Sequence, residues 1–239
     1  MANQNLRCHV CHKQINGQYY YDWAGHSICA SHIHNVTKCA SCGQFCDNRA
    51  KDIGLGMQIC GHCQKYRIEH KDSDSIIQFV KSIYQDTPIG NITHWKLMMV
   101  DAETLYKKTK DKNTRGLAQA VGTEYTIFIY RELSRVAFAQ VLAHEMLHVY
   151  QYTNHINPPK ALCEGFCNLG SYVILSAINN KEAKAAIDNL KKSPDPIYGD
   201  GFRQILSIYN EGGWQKVINK IKEYYYVLQQ MDWWFPWIH

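Results

Sequence analysis

Eight of the ten cysteines lie at or before Cys63, and six of those eight stand in Cys-x2-Cys pairs. The first half of this segment reads Cys8-x2-Cys11-x17-Cys29-x2-His32, and the second half reads Cys39-x2-Cys42-x17-Cys60-x2-Cys63, with an identical spacer. The unit thus repeats in register, with Ile28-Cys29 matching Ile59-Cys60. Paired knuckles around a fixed spacer are the arrangement a four-ligand tetrahedral zinc site requires, whereas a disulfide-stapled module needs no such pairing. The pattern therefore predicts two structural zinc ions, one held by Cys8, Cys11, Cys29 and His32 and the other by Cys39, Cys42, Cys60 and Cys63. A segment this short with few large aliphatics has a poor core, and metal binding supplies folding free energy that apolar burial does not.

His26-x2-Cys29 offers His26 as an alternative to His32; the equality of the two spacers favours His32. His34, Cys46 and His62 read as bystanders. The double knuckle resembles a LIM domain, with two departures: the second knuckle runs Cys29 then His32, and six residues rather than two separate His32 from Cys39. The resemblance implies a protein-binding module; a rigid cap on the remaining chain is the plainer alternative. Tyr19, Tyr20, Tyr21 and Trp23 are candidates for recognition, and a half-buried strand accounts for them equally well.

The formal charge of +5 falls further once ligand thiolates and zinc are counted, and no dense Arg/Lys block occurs. Lys107, Lys108, Lys110 and Lys112 alternate with acidic residues as on a solvated helix face, so no nucleic-acid partner is expected. The start Met-Ala-Asn-Gln-Asn is polar, with no basic-then-apolar leader before Cys8, which predicts a cytoplasmic protein. No uninterrupted apolar run approaches the roughly 20 residues that span a bilayer, and no membrane partner is expected.

After Cys63 the composition shifts. Residues 64 to 75 are polar, and Ile76, Ile77, Val80 and Ile83 suggest a short helix to Tyr84, so residues 69–90 read as a linker between a module at 1–68 and a domain at 91–239. Lys96 to Val100 reads as a strand, Asp101 to Lys110 as a helix capped by Asp101, and Ala118 to Val121 and Tyr125 to Tyr130 as strands around a turn at Gly122. Arg135 to Thr153 is helical in period.

On that helix stands His144-Glu-Met-Leu-His148. Residues four apart point the same way, so the two imidazoles can share one metal, while Glu145 reaches toward a water without ligating. Asn157-Pro158-Pro159 breaks the chain and starts a second helix that presents Glu164. A helix, a turn and an antiparallel helix give a His2Glu site with an open position, the pattern of a catalytic zinc. Such a zinc acidifies water and polarises a scissile carbonyl, and Glu145 serves as general base. The plain alternative, a solvated helix with two chance histidines, fits poorly with the apolar neighbours Val141, Leu142, Ala143, Met146, Leu147 and Val149. Asn168 can orient His144 or act as a structural polar contact. Cys163 and Cys167 read as packed thiols.

From about residue 91 to 225 the chain resembles the peptidase domain of the DA1 family. The resemblance rests on Leu142-Ala-His-Glu-Met-Leu-His148, Leu162-Cys-Glu-Gly-Phe166 and Ser193-Pro-Asp-Pro-Ile-Tyr-Gly-Asp-Gly-Phe-Arg203, with a LIM-like region in front. It implies a glutamate-zincin ligand set of His144, His148 and Glu164, Glu145 as base, protein substrates, and activity restrained until a partner or modification releases it. Tyr198 and Arg203 are the polar groups the 193–203 loop can offer to an oxyanion; loop packing is the alternative for Tyr198, and pairing with Asp200 for Arg203. The strand Tyr125 to Tyr130 is a candidate to hold an extended substrate by edge pairing.

Phe202 to Tyr209 and Trp214 to Leu228 read as helices separated by Gly212-Gly213, and Trp233-Trp234-Phe235-Pro236-Trp237 as an aromatic end packed on the core or in a partner, or set in the cleft with His239 near the metal. The expected class is α+β: a zincin-like metallopeptidase domain with a mainly helical C-terminal part behind a LIM-like double zinc-knuckle module. The expected function is a zinc endopeptidase with one catalytic and two structural zinc ions, a protein substrate, and a protein activator or target reached through the module. The alternative is a protein-interaction adaptor whose HExxH domain is catalytically inactive.

Overall fold

Each half of the N-terminal cysteine repeat folds as a knuckle, a short antiparallel hairpin and a helical turn. The first hairpin pairs β1 (Tyr19–Tyr21) with β2 (Ser27–Cys29), and a 3-10 turn, Ala30–His32, follows. The second pairs β3 (Lys51–Asp52) with β4 (Gln58–Ile59), and α1 (Gly61–Tyr66) follows. The matching isoleucines, Ile28 and Ile59, are both fully buried; the small core around Ile59 consists largely of cysteine, and that around Ile28 joins Cys8 and Phe45 to half-buried aliphatics. This computed structural model describes residues 6–90, 92 and 94–232, with side chains at all of these except 70 and 224–232. The expected aromatic end at 233–237 and His239 lie outside the described residues.

The helix expected within residues 69–90 is present, and its apolar face joins the main core. α2 (His70–Tyr84) is a full amphipathic helix whose Ile76, Val80 and Tyr84 pack into it, and the Tyr84 hydroxyl donates to the Ala143 carbonyl at 3.4 Å. Of the polar residues that suggested a junction, Lys71, Asp74 and Ser75 lie on its exposed face, while Ser73 is buried.

Mixed α and β structure follows, and about half of the protein is helical. β5 (Trp95–Val100), α3 (Ala102–Thr109), β6 (Gly116–Val121) and β7 (Glu124–Tyr130) build a three-stranded sheet in the order β5-β7-β6. Asp101 caps α3, its Oδ1 accepting from the Thr104 N–H at 2.9 Å. β7 runs parallel to β5 and antiparallel to β6, so it is the central strand. It therefore cannot offer a free edge to a substrate as the sequence suggested; that edge belongs to β6.

α4 (Arg135–Thr153) lies against β6 and β7, starting at Ser134, whose Oγ accepts from the Ala137 N–H at 3.1 Å. α5 (Lys160–Ile178) returns antiparallel to α4, as the prolines before it predict, and α6 (Lys181–Lys192) follows. α5 is long and apolar enough to cross a membrane by length and composition, yet it packs between α4 and α7 as a core helix. The 193–203 segment makes one π-helical turn, Pro196–Asp200, and enters α7 (Gly201–Asp232), which is interrupted at Gly212 and Gly213 where the sequence placed a break. Two glycines allow a close crossing: a Cβ on Gly165 would stand 2.3 Å from the Gly201 carbonyl oxygen, and one on Gly201 would stand 2.0 Å from that of Ala161. The loop is thus pressed against the turn of α5 that carries Glu164.

Candidate functional site

The two cysteine groups assemble as the repeat predicts. Cys8, Cys11, Cys29 and His32 bring one donor atom each within 4.8 Å of one another, and so do Cys39, Cys42, Cys60 and Cys63. Four thiolates about 2.3 Å from a tetrahedral zinc lie about 3.8 Å apart. The Cys8–Cys29 and Cys42–Cys60 sulfur separations are 3.8 and 3.7 Å, and His32 Nδ1 stands 3.0 Å from Cys29 Sγ. His26 is not in the group; its Nδ1 lies 3.0 Å from the Asp22 carboxylate and its ring stacks on His9.

Hydrogen bonds from Cys42, Cys60 and Cys63 lower the Cys39 thiol, while the contact with Cys39 is the leading cause raising Cys42 and Cys63, as expected of sulfurs crowded into one site. In the first group burial opposes ionisation of Cys8, and backbone N–H groups of Cys11, Cys29 and Val10 outweigh it, lowering the thiol to about 6. Zinc-binding chemistry fits both donor sets.

A third constellation lies between α4 and α5. His144 Nε2 and His148 Nε2 are 3.2 Å apart, and Glu164 Oε2 is 3.3 and 3.7 Å from them. Nitrogen and oxygen donors about 2.0–2.1 Å from a tetrahedral zinc lie about 3.3 Å apart, so this triangle fits one such ion. His144 Nδ1 lies 3.1 Å from Asn168 Oδ1, and His148 Nδ1 lies 3.1 Å from Gln151 Oε1. Amide oxygens at both Nδ1 atoms fix the tautomer that leaves Nε2 bare for a metal.

Cys167 also approaches within metal-ligand range of this group. Its sulfur, however, is 3.3 Å from His148 Nδ1, the ring nitrogen turned away from His144, and 3.5 Å from Gln151 Oε1. It therefore sits behind the histidine, fully buried, with its thiol held well above the ordinary range by burial and by Cys163. Cys163 is drawn the other way, to about 5, by hydrogen bonds from Cys167 and His148.

Burial would raise the Glu164 carboxyl, and contacts from His144 and His148 overturn that, holding it at about 2. Burial likewise works against a charged His148, and Cys163, Glu164 and Glu145 together raise it well above its usual value.

Glu145 makes no hydrogen bond to the three donors. Its Oε2 accepts from the Ala118 N–H on the edge strand at 2.7 Å. Gly116 lies beneath it: a Cβ there would stand 2.6 Å from Oε1 and 2.4 Å from Val141 Cγ1. These groups line a cleft of about 670 Å³ between β6, α4, α5 and the loop carrying Tyr198.

Tyr198 lines that cleft, and burial and the nearby Glu164 raise its phenol to about 12, keeping it a neutral donor. Its carbonyl accepts from Asn168 Nδ2 at 3.0 Å, so Asn168 ties the loop to His144. Arg203 does not line the cleft. Its guanidinium donates to the Lys191 and Ser193 carbonyls at 3.0 and 2.7 Å and pairs with Asp200, so its role is to hold the loop.

No protein-family model, curated protein or solved structure matches this sequence.

The residue types at Gly116, Ala118 and Gln151 carry no chemical signature, and sequence reasoning missed them; only their place against Glu145 and His148 gives them a role. A glycine opening a strand that follows a basic loop was the one available hint.

Proposed function

We propose that the protein is a zinc-dependent endopeptidase of the glutamate-zincin type, related to the DA1-like peptidases its motifs resemble, with a LIM-like module of two structural zinc sites. The observation that carries this reading is the division of labour on α4 and α5. Three donors face one point at tetrahedral spacing, while Glu145, between the two histidines in sequence, is kept out of that triangle by its bond to Ala118. A purely structural site has no use for an oriented carboxylate beside an incomplete ligand set.

His144, His148 and Glu164 would hold the zinc, which when bound supplies a Lewis acid for water and for the scissile carbonyl. With Oε2 fixed by Ala118, Oε1 of Glu145 is free to take a proton from the attacking water and pass it to the leaving amine. Asn168 and Gln151 hold the imidazoles in register. Tyr198, neutral and facing the cleft, can donate to the oxyanion. The outer edge of β6, apart from Ala118, whose N–H and carbonyl are taken by Glu145 and Tyr152, supports pairing with an extended protein substrate.

The test compares wild type with Glu145→Gln, each loaded with three zinc ions, in a search for new protein termini in a cell extract. Chelator-sensitive cleavage that disappears in Glu145→Gln supports the reading. Equal cleavage by the two proteins removes it and leaves the adaptor.

A further inference from the structure

Arg115 stands where three cavities meet. It lines the catalytic cleft, a neighbouring cavity of about 260 Å³, and a third of about 320 Å³ beneath the second zinc knuckle. The 260 Å³ cavity adjoins the cleft through Arg115, Gln140, Asn168 and Tyr198, and the second knuckle, Ser41 to Gly43, forms part of its wall. One knuckle of the N-terminal module therefore lies beside the catalytic cleft.

The guanidinium is only partly satisfied. Nη1 donates to the Ser41 carbonyl at 3.2 Å, and its remaining N–H groups have no hydrogen-bond partner among the described residues. Arg115 stays open to water in a crevice crowded by protein; burial pulls its pKa down and the Cys39, Cys42 and Cys63 sulfurs support its charge. A guanidinium remains protonated in such surroundings, and its planar fork matches a carboxylate.

The acidic groups nearby are already engaged. Glu182 accepts from the Ser134 hydroxyl at 2.5 Å, and burial raises its carboxyl toward the neutral form. Asp111 accepts from the Asn113 N–H at 2.9 Å. Arg115 also precedes Gly116, which lies against Glu145, so an anion it holds belongs close to the reacting bond.

We propose that Arg115 is the specificity-determining residue of a subsite, bounded by the second zinc knuckle, that binds a substrate carboxylate next to the scissile bond. The carboxylate comes from an Asp or Glu side chain, which keeps the endopeptidase reading, or from the free C-terminus of the substrate, which would make the peptidase a carboxypeptidase instead. This rests on the peptidase reading above and narrows its substrate class.

The experiment uses the whole Glu145→Gln protein loaded with zinc, titrated by fluorescence anisotropy with fluorescein-labelled octapeptide pools. Two amidated pools differ only in a fixed central Glu or Gln, and a third carries the central Gln and a free C-terminal carboxylate. One carboxylate-bearing pool should bind about tenfold more tightly than the amidated Gln pool, which corresponds to about 1.4 kcal/mol, and which one identifies the source. Adding Arg115→Ala brings the ratio near one, and Arg115→Lys keeps part of it. Arg115→Glu turns the preference toward a pool with central Lys, an inversion that a merely structural role does not produce. Equal binding of all three pools, or a preference unchanged in Arg115→Ala, overturns the proposal. Wild-type protein incubated with the same pools separates the two claims. Carboxylate-dependent binding with no cleavage removes the peptidase reading and leaves the subsite; cleavage without carboxylate preference does the reverse.

Discussion

The Glu145 carboxylate accepts a 2.7 Å hydrogen bond from the Ala118 backbone N–H, which ties α4 to the edge strand β6. One oxygen is spent on orientation and the other is left to the cleft. On the proposed reading, the general base and the strand that would hold the substrate are thereby set in one frame, and Gly116, two residues before Ala118, makes room for the carboxylate.

Replacing Gly116 should disturb catalysis more than folding. In Gly116→Ala the new methyl meets Glu145 Oε1 and Val141 Cγ1 at 2.6 and 2.4 Å, so the carboxylate must shift. A displacement on the order of 1 Å in a reacting group costs up to about 100-fold in rate. A fall in kcat/KM of about 10- to 100-fold, with all zinc retained and the far-UV spectrum unchanged, is expected. Activity within twofold of wild type would show that Glu145 does not need its present position.

Asn168 joins the metal site to the 193–203 loop, accepting from His144 and donating to the Tyr198 carbonyl. Loss of such an outer partner costs about 10- to 100-fold in metal affinity. Asn168→Ala should weaken the most loosely held zinc by that amount, measured by competition with a chromophoric chelator. Asn168→Asp keeps the acceptor for His144 and loses the donor to the loop, so it should recover most of the affinity. Equal losses in both variants would mean that the loop contact, rather than histidine orientation, governs the metal.

These relationships mark how far the sequence could be read. The cysteine spacing and the Arg135–Thr153 helix are legible because metal ligands and helix faces repeat at fixed intervals, and Ile28 and Ile59 bury as that repetition requires. The helix ending at Tyr84 was legible in the spacing of Ile76, Ile77, Val80 and Ile83, but its docking was not, because the burial of Tyr84 against Ala143 depends on contacts far along the chain. The same limit applies to strand order. The largely apolar run from Tyr125 to Tyr130 says that a strand exists, but only pairing with both β5 and β6 makes it central. Arg203 was open to two readings, and the carbonyls of Lys191 and Ser193 decide for packing.

Zinc and protons should compete at His148. The metal-free residue has a raised pKa, so its contribution to stability is fully present below the unfolded value, about 6.5, and is lost as pH rises through the folded one. Zinc needs the neutral imidazole, so its affinity moves the opposite way. Affinity for the most weakly held zinc should rise from about pH 6 to about pH 8, with proton release on binding seen as a dependence of the calorimetric enthalpy on buffer ionisation. Flat affinity across that window, with no proton release, would contradict a protonated His148.

Ser41 couples the second cysteine knuckle to the start of α4. Its hydroxyl oxygen accepts from the buried Ser134 N–H at 2.7 Å, and its carbonyl accepts from Arg115. Ser134 in turn caps α4 through Ala137 and donates to Glu182. Ser41→Ala removes the acceptor but not the carbonyl, so the Ser134 N–H is left buried without a partner at a cost of about 1–3 kcal/mol. Neither the Cys39–Cys63 donors nor the Arg115 contact is altered, so zinc content should be unchanged while the unfolding free energy of the whole protein drops by that amount in urea. A loss of zinc alongside the stability change would place Ser41 in the knuckle's own folding. No change in either quantity would mean that module and domain are held together by Arg115 and the Arg67–Ser134 bridge instead.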